Sequence, residues 1–151
     1  MLILNNTEQQ QTYMAKSLHY INKVEMIETV QLANSIFVPG VGVYLSSGLT
    51  FEKLCTVGLS SLEVSDQIEK KIRSYTQKLT SVLNRSFEVG NRKLCFLLTS
   101  VSGEQFLIGY KDRPYPIITF NDIRPEITTS KCAFTMLVNY TNTTIYRVLN
   151  V

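Results

Sequence analysis

The chain has 151 residues, of which 44% are hydrophobic, 18% charged and 10% aromatic, and its formal net charge is +3. Low charge without a low-complexity tract excludes an intrinsically disordered chain, and the length corresponds to one domain. The mild positive charge is not the clustered basic character that nucleic-acid binding usually shows. There is no run of about 18 apolar residues, so no membrane-spanning helix is expected. The short apolar start over residues 1–4 lacks the basic region of a secretory signal.

The N-terminal segment carries a helical pattern. Thr7 is a suitable N-cap, and Met14, Leu18 and Ile21 then share one helical face. The sequence therefore predicts a short helix over residues 7–21.

The rest of the chain favours strands, because Thr, Val, Ile, Phe and Tyr are abundant in it. We interpret residues 1–151 as a single domain, with an N-terminal arm over residues 1–22 and a β domain over residues 23–151. Residues 24–32 alternate as a strand does, and a turn at Pro39 and Gly40 precedes a short strand.

The segment from residue 61 to residue 83 fits two structures. Apolar side chains recur at helical spacing, which favours a helix. The many Ser and Thr residues are poor helix formers, and the run EKK at residues 69–71 is typical of a hairpin tip. The residues at helical spacing are Ile68, Ile72, Tyr75, Leu79 and Val82.

The sequence of the C-terminal half predicts a series of strands. Residues 93–99 and 105–109 are apolar runs around the turn dipeptide Ser102 and Gly103, which predicts a hairpin. A proline-bearing loop, a strand, a polar loop and two final strands follow, at residues 110–116, 117–120, 121–131, 133–140 and 144–151.

No catalytic constellation is visible. The chain has three widely spaced cysteines (Cys55, Cys95 and Cys132) and a single histidine, His19. This number and spacing of residues predicts neither a disulfide framework nor a zinc site. Each cysteine lies in a strand-like setting, where packing in the core is the expected role. Nucleotide-binding and hydrolase motifs are lacking. We expect no catalytic residues, no cofactor and no metal.

Two basic groups stand near aromatic residues. This pattern suits a surface for single-stranded nucleic acid, but charge at hairpin tips and strand edges also prevents edge-to-edge pairing, and we favour that interpretation. The groups are Lys70, Lys71 and Arg73 near Tyr75, and Arg85, Arg92 and Lys93 near Phe87.

Several runs in order resemble a known family. YTQKL at residues 75–79 precedes RKLCFLLT at residues 92–99, then SGEQFLIG at residues 102–109 and RPYP at residues 113–116. Over residues 50–151, this order resembles the small tail-tube-like virion structural proteins of tailed phages, including those of crAss-like phages.

The resemblance implies a mainly β, tail-tube-like sandwich or barrel in which residues 71–83 are a strand and residues 60–83 form a long hairpin bordering a ring. It implies a non-catalytic subunit of a multimeric ring in the tail or neck of a virion, assembled in the host cytoplasm. Its partners would be copies of itself, the portal and neighbouring tail rings. DNA would pass through the lumen without sequence-specific binding.

We expect two segments to mediate assembly, the hairpin over residues 68–83 and the loop over residues 110–124. The expected contact residues are Ile68, Lys70, Lys71, Arg73, Tyr75, Leu79, Tyr110, Arg113, Tyr115 and Arg124. Two other functions stay open: an auxiliary, capsid-decorating protein with an Ig-like fold, and a small β-barrel that binds nucleic acid.

Overall fold

The protein is mainly β. The computed structural model describes residues 12–85, 87–123 and 133–149, and for residues 12–15, 122, 123 and 133 it describes the backbone alone. The strands are β1 (Thr12–Glu28), β2 (Ile36–Val38), β3 (Gly42–Tyr44), β4 (Glu52–Lys53), β5 (Ser60–Glu69), β6 (Ile72–Leu83), β7 (Leu94–Ser100), β8 (Gln105–Ile108), β9 (Ile117–Ile123), β10 (Ala133–Asn142) and β11 (Tyr146–Arg147). In these ranges, helix is represented by a 3-10 turn at Thr29–Asn34.

One large antiparallel sheet organises the fold. Its strand order is β11-β8-β7-β1-β5-β6-β10-β9, with β4 pairing beside β1, and β2 and β3 form a separate small hairpin. The sheet is not closed into a barrel, because β9 and β11 stand at its two ends. It folds over on itself as a sandwich does, so that both of its halves contribute to one core.

The long first strand corrects the predicted helix over residues 7–21, as far as the described residues reach. Leu18 and Ile21, which would share a helical face, lie on opposite faces of β1: Leu18 is exposed and Ile21 is fully buried. A register shift between Ile21 and Lys23 then brings Val24 onto the core side. Pairing with two neighbouring strands outweighs the weak local helical pattern.

The same strand corrects the expected N-terminal arm. Residues 12–22 are part of β1, which pairs with β5 over residues 12–21 and with β7 over residues 21–28. The expected boundary at residue 22 therefore falls inside a central strand.

The ambiguous segment is a hairpin. β5 and β6 pair from Ser61 opposite Thr80 to Glu69 opposite Ile72, which leaves Lys70 and Lys71 as a two-residue tip. This confirms the hairpin over residues 60–83 that the resemblance implied. The strand expected over residues 71–83 is also confirmed, beginning one residue later, at Ile72.

Two apolar clusters hold the layers together. The main core lies inside the folded sheet and includes Leu62, Leu79, Phe96 and Met136, all fully buried. A smaller cluster on the other face of β7 and β8 lies under the 3-10 turn and the hairpin of β2 and β3. Complete burial of each such side chain contributes roughly 1.5–3 kcal/mol.

The remaining predictions have mixed outcomes. The hairpin of β7 and β8 is confirmed, and the last predicted strand is shorter than expected, since β11 spans Tyr146–Arg147. Cys95 is buried as predicted, but Cys55 is exposed, because its segment forms only the two-residue strand β4. Cys132 and Arg124 lie outside the described residues.

Candidate assembly surfaces and an interlayer cleft

The part of the sheet formed by β1, β5, β6, β10 and β9 has an unpaired edge at each end, counting the residues that the structure describes. β9 pairs with β10 on one side only. β1 pairs with β5 along its N-terminal half, but its other side is paired only from Ile21 onward, with β7. Val101 N–H donates to Tyr20 O, so the unpaired stretch is residues 12–19.

Cross-strand rows connect these two edges. One row runs from Leu18 through Glu63, Lys78 and Asn139 to Ile117. It lies on the face opposite the main core, where Leu18 is 55% and Ile117 is 67% exposed. The face is otherwise mostly uncharged and polar, with Lys16 bound to Glu63 at 3.5 Å as an exposed ion pair.

Sequence reasoning missed Leu18, Tyr20 and Ile117 as surface residues. Leu18 falls within the predicted helix, although the alternation of exposed Leu18 and Tyr20 with inward-facing His19 and Ile21 has the period of a strand. That period-two pattern was the available signal for the first two residues. Ile117 begins a predicted strand that is mostly apolar. The sequence does not indicate that one edge of this strand is left unpaired.

The hairpin tip places several expected contact residues at the surface. Lys70 and Lys71 are exposed and have φ values of 51° and 67°, in the left-handed region that non-glycine residues seldom adopt. Arg73 is also exposed, and its Nε lies 3.4 Å from an Asp66 carboxylate oxygen. Ile68 is half-buried.

Two hairpin residues point inward instead. Leu79 is fully buried in the main core, so it is unable to touch a neighbouring molecule directly. Tyr75 is half-buried on the inner face and lines the cleft described below. The structure therefore separates Tyr75 from the exposed lysines at the tip.

The loop before β9 is anchored by its aromatic rings. The Tyr110 ring stacks on Tyr146 at 5.7 Å and meets the edge of Phe37 at 4.6 Å, between centroids. Tyr115 lies under the Lys93 ammonium, 5.5 Å from its ring centroid. Arg113 is exposed. Of these expected contact residues, Arg113 is thus the most accessible.

A cleft of about 470 Å³ opens between the layers at the end of the sheet near residues 12–19. Its polar lining comprises Ser17, His19, Tyr75, Thr143, Thr144 and Arg147. Its apolar lining includes Val64 and Phe106, and the His19 ring lies 5.0 Å from the Phe106 ring. Arg147 covers the same ring at 5.6 Å and lies 3.7 Å from Glu104.

Burial controls the ionisation of two groups in the interior. It raises the pKa of the Cys95 thiol from 9.0 to about 12, which keeps this thiol protonated and unreactive at neutral pH. Burial likewise raises the pKa of Tyr140 to about 12, although its hydroxyl accepts a hydrogen bond from Asn142 Nδ2 at 2.6 Å. Neither group is prepared for catalysis.

The described residues contain neither a cluster of metal ligands nor a membrane-spanning helix. No group of three His, Cys, Asp or Glu side chains is placed to hold a metal ion in that part of the chain. The same residues form no helix with the length and hydropathy needed to cross a membrane.

Comparisons with known proteins add no relative: no family model, no curated protein and no solved structure matches this chain.

Proposed function

We propose that this protein is a structural subunit of a phage virion and forms a ring in the tail or neck by continuing one β-sheet from copy to copy. The observation that carries the proposal is the pair of edges, on β1 and β9, that no described residue pairs, at the two ends of a five-stranded sheet. Exposed edges promote association, and added strands satisfy their backbone groups. The resemblance of residues 50–151 to tail-tube-like proteins supplies the setting in a virion.

Strand directions favour a ring over a dimer. Each pairing between β1 and β9 is antiparallel, through β5, β6 and β10, so β1 and β9 run in the same direction. Joining β9 of one copy to β1 of the next would therefore be a parallel, head-to-tail contact. Such heterologous contacts close into rings when the rotation between copies fits.

The two edges lie side by side only if neighbouring copies are displaced along the strand direction. β9 has 7 residues, and the unpaired stretch of β1 ends at residue 19, beyond which β7 occupies the same edge. The incoming β9 would have to be displaced toward the N-terminus of β1 relative to the row that joins Leu18 and Ile117. Stagger of this kind accompanies the closure of sheets into barrels.

Other exposed groups would contact the remaining virion proteins. Lys70 and Lys71 at the hairpin tip, and Arg113 in the loop before β9, would face the portal or neighbouring rings. DNA would pass through the ring without base-specific contacts. This assignment requires no catalytic residue and no cofactor.

The two alternatives have less support from the geometry. A single-strand binding surface would combine Lys70, Lys71 and Arg73 with Tyr75, but Tyr75 faces the cleft and Arg73 is paired with Asp66. An auxiliary capsid protein would share the all-β architecture. That function does not explain why two edges of one sheet are unpaired in the described part of the chain.

The test is mass photometry combined with negative-stain electron microscopy of the purified protein. We expect closed rings or short tubes that carry a whole number of 17.2 kDa subunits. Particles limited to monomers over the whole accessible concentration range, alone and with purified portal, would contradict the proposal.

A further inference from the structure

The interlayer cleft borders the β1 edge that the proposed ring would use, and its chemistry is one-sided. Its lining offers hydroxyl, imidazole and guanidinium groups, and no Asp or Glu lines it among the described residues. Arg147 lies over Phe106 and is held from the side by Glu104, in an ion pair that leaves both side chains about half exposed. An exposed pair of this kind binds weakly, so Arg147 stays able to bind a second carboxylate.

The cleft also opens beside an unpaired strand edge. Ser17 and His19 line it and belong to the unpaired stretch of β1. A peptide that added to this edge would place alternate side chains on the inner face, above the cleft. Its volume of about 470 Å³ falls within the range of ligand sites, roughly 300–1,000 Å³.

From these observations we infer that the cleft is a recognition site for an extended, carboxylate-bearing segment of a partner polypeptide. The segment's main chain pairs with residues 12–19 of β1, and an Asp or Glu side chain enters between Arg147 and His19. The segment and β9 of a neighbouring copy would compete for this edge, so the segment binds subunits outside a closed ring. A monomeric variant with β1 unchanged presents the same edge and cleft.

The test uses fluorescence anisotropy with a labelled heptapeptide of alternating Thr and Glu, on an Ile117→Lys variant. Ile117 is exposed on β9, so the lysine blocks that edge and keeps the protein monomeric while β1 is unchanged. Matched peptides carry Gln in place of Glu, or N-methyl groups on alternate amides. We expect the Glu peptide to bind about tenfold more tightly than the Gln peptide, and N-methylation to abolish binding.

Protein variants locate the site. Arg147→Gln should remove the preference for Glu over Gln, whereas Arg92→Gln, at an exposed ion pair with Glu28 elsewhere on the molecule, should leave it intact. Equal affinity for the Glu and Gln peptides, an undiminished preference in Arg147→Gln, full binding of the N-methylated peptide, or no binding of the Glu peptide would each overturn the inference. Failure of ring formation with intact peptide binding would reject only the proposed function.

Discussion

Leu18 and Ile117 occupy the two ends of a single cross-strand row that spans five strands. Both side chains are more than half exposed and lie on the face opposite the main core. Isolated exposed apolar residues are normal on a protein surface. These two, however, mark the strands whose outer edges are unpaired in the described part of the sheet, which is the geometry that a repeating sheet needs.

A charge at one end of this row should prevent assembly. We expect Leu18→Lys to convert rings into monomers in mass photometry, because a lysine next to a strand edge disfavours pairing with another chain. Since Leu18 is half exposed, the free energy of unfolding should change by no more than about 0.5 kcal/mol. Val30→Lys is the matched control, because Val30 is 73% exposed on the 3-10 turn. Intact rings in Leu18→Lys, or equal dissociation in the control, would contradict the assignment of this edge.

Relief of backbone strain at the hairpin tip should stabilise the fold. Lys70 and Lys71 both have positive φ, a conformation that Asn and Gly adopt more readily in two-residue hairpin turns. The double substitution Lys70→Asn and Lys71→Gly should raise the free energy of unfolding by about 1 kcal/mol in urea titrations. An unchanged or lower value would show that the two lysines make compensating contacts. Smaller particles from the same variant would identify the tip as part of the assembly contact.

Gly109 should tolerate no side chain. Its φ is +117°, and an added Cβ would lie 2.5 Å from the Cys95 sulfur. We expect Gly109→Ala to lower the free energy of unfolding by about 1–3 kcal/mol. The Cys95→Ala background should recover only part of this loss, because the backbone strain remains. Additive effects of the two substitutions in a double-mutant cycle would refute the contact.

Alkaline pH should destabilise the protein through Cys95. Burial raises the pKa of this thiol in the folded state to about 12 from 9.0, so between these values the unfolded chain binds fewer protons than the folded one. The free energy of unfolding should therefore fall as pH rises through this window, by at most about 1.4 kcal/mol per pH unit. Urea titrations of Cys95→Ala should show a shallower fall, and Tyr140, which is present in both proteins, provides a common background. Parallel pH profiles would contradict the assignment to Cys95.

Local patterns were sufficient to predict part of the fold. The hairpin of β7 and β8 has apolar runs of strand length around a turn dipeptide, and the structure contains it as expected. The hairpin of β5 and β6 could not be settled from residues 61–83, because its apolar positions satisfy both periods. Its strands are fixed by pairing with β1 and β10, which are distant in the sequence.

Tertiary pairing also explains what sequence reasoning got wrong. The helical spacing of Met14, Leu18 and Ile21 is genuine, but β1 gains two neighbouring strands that a helix would lose. The candidate surfaces were still less accessible to prediction, because an unpaired edge depends on which strands are absent beside it. Leu79 is predicted at an interface because the sequence does not show which face of its strand is covered. The structure buries it, because the sheet folds over the main core on that face.

The most direct test of the account is thiol cross-linking between copies. Leu18→Cys places a thiol on the β1 edge, and Ile117→Cys, Thr119→Cys or Asn121→Cys places one on the exposed face of β9. All of these variants are made in a background in which Cys55 and Cys132 are changed to Ser. A short bismaleimide is added before denaturing electrophoresis.

We predict that no single variant cross-links, that Leu18→Cys mixed with at least one β9 variant yields dimers, and that the corresponding double variant yields a ladder ending in a closed species. Because copies must be staggered, the most reactive β9 position reports the register of the contact. Dimers formed by Leu18→Cys alone would show a two-fold pairing of β1 with β1, and would contradict the head-to-tail ring.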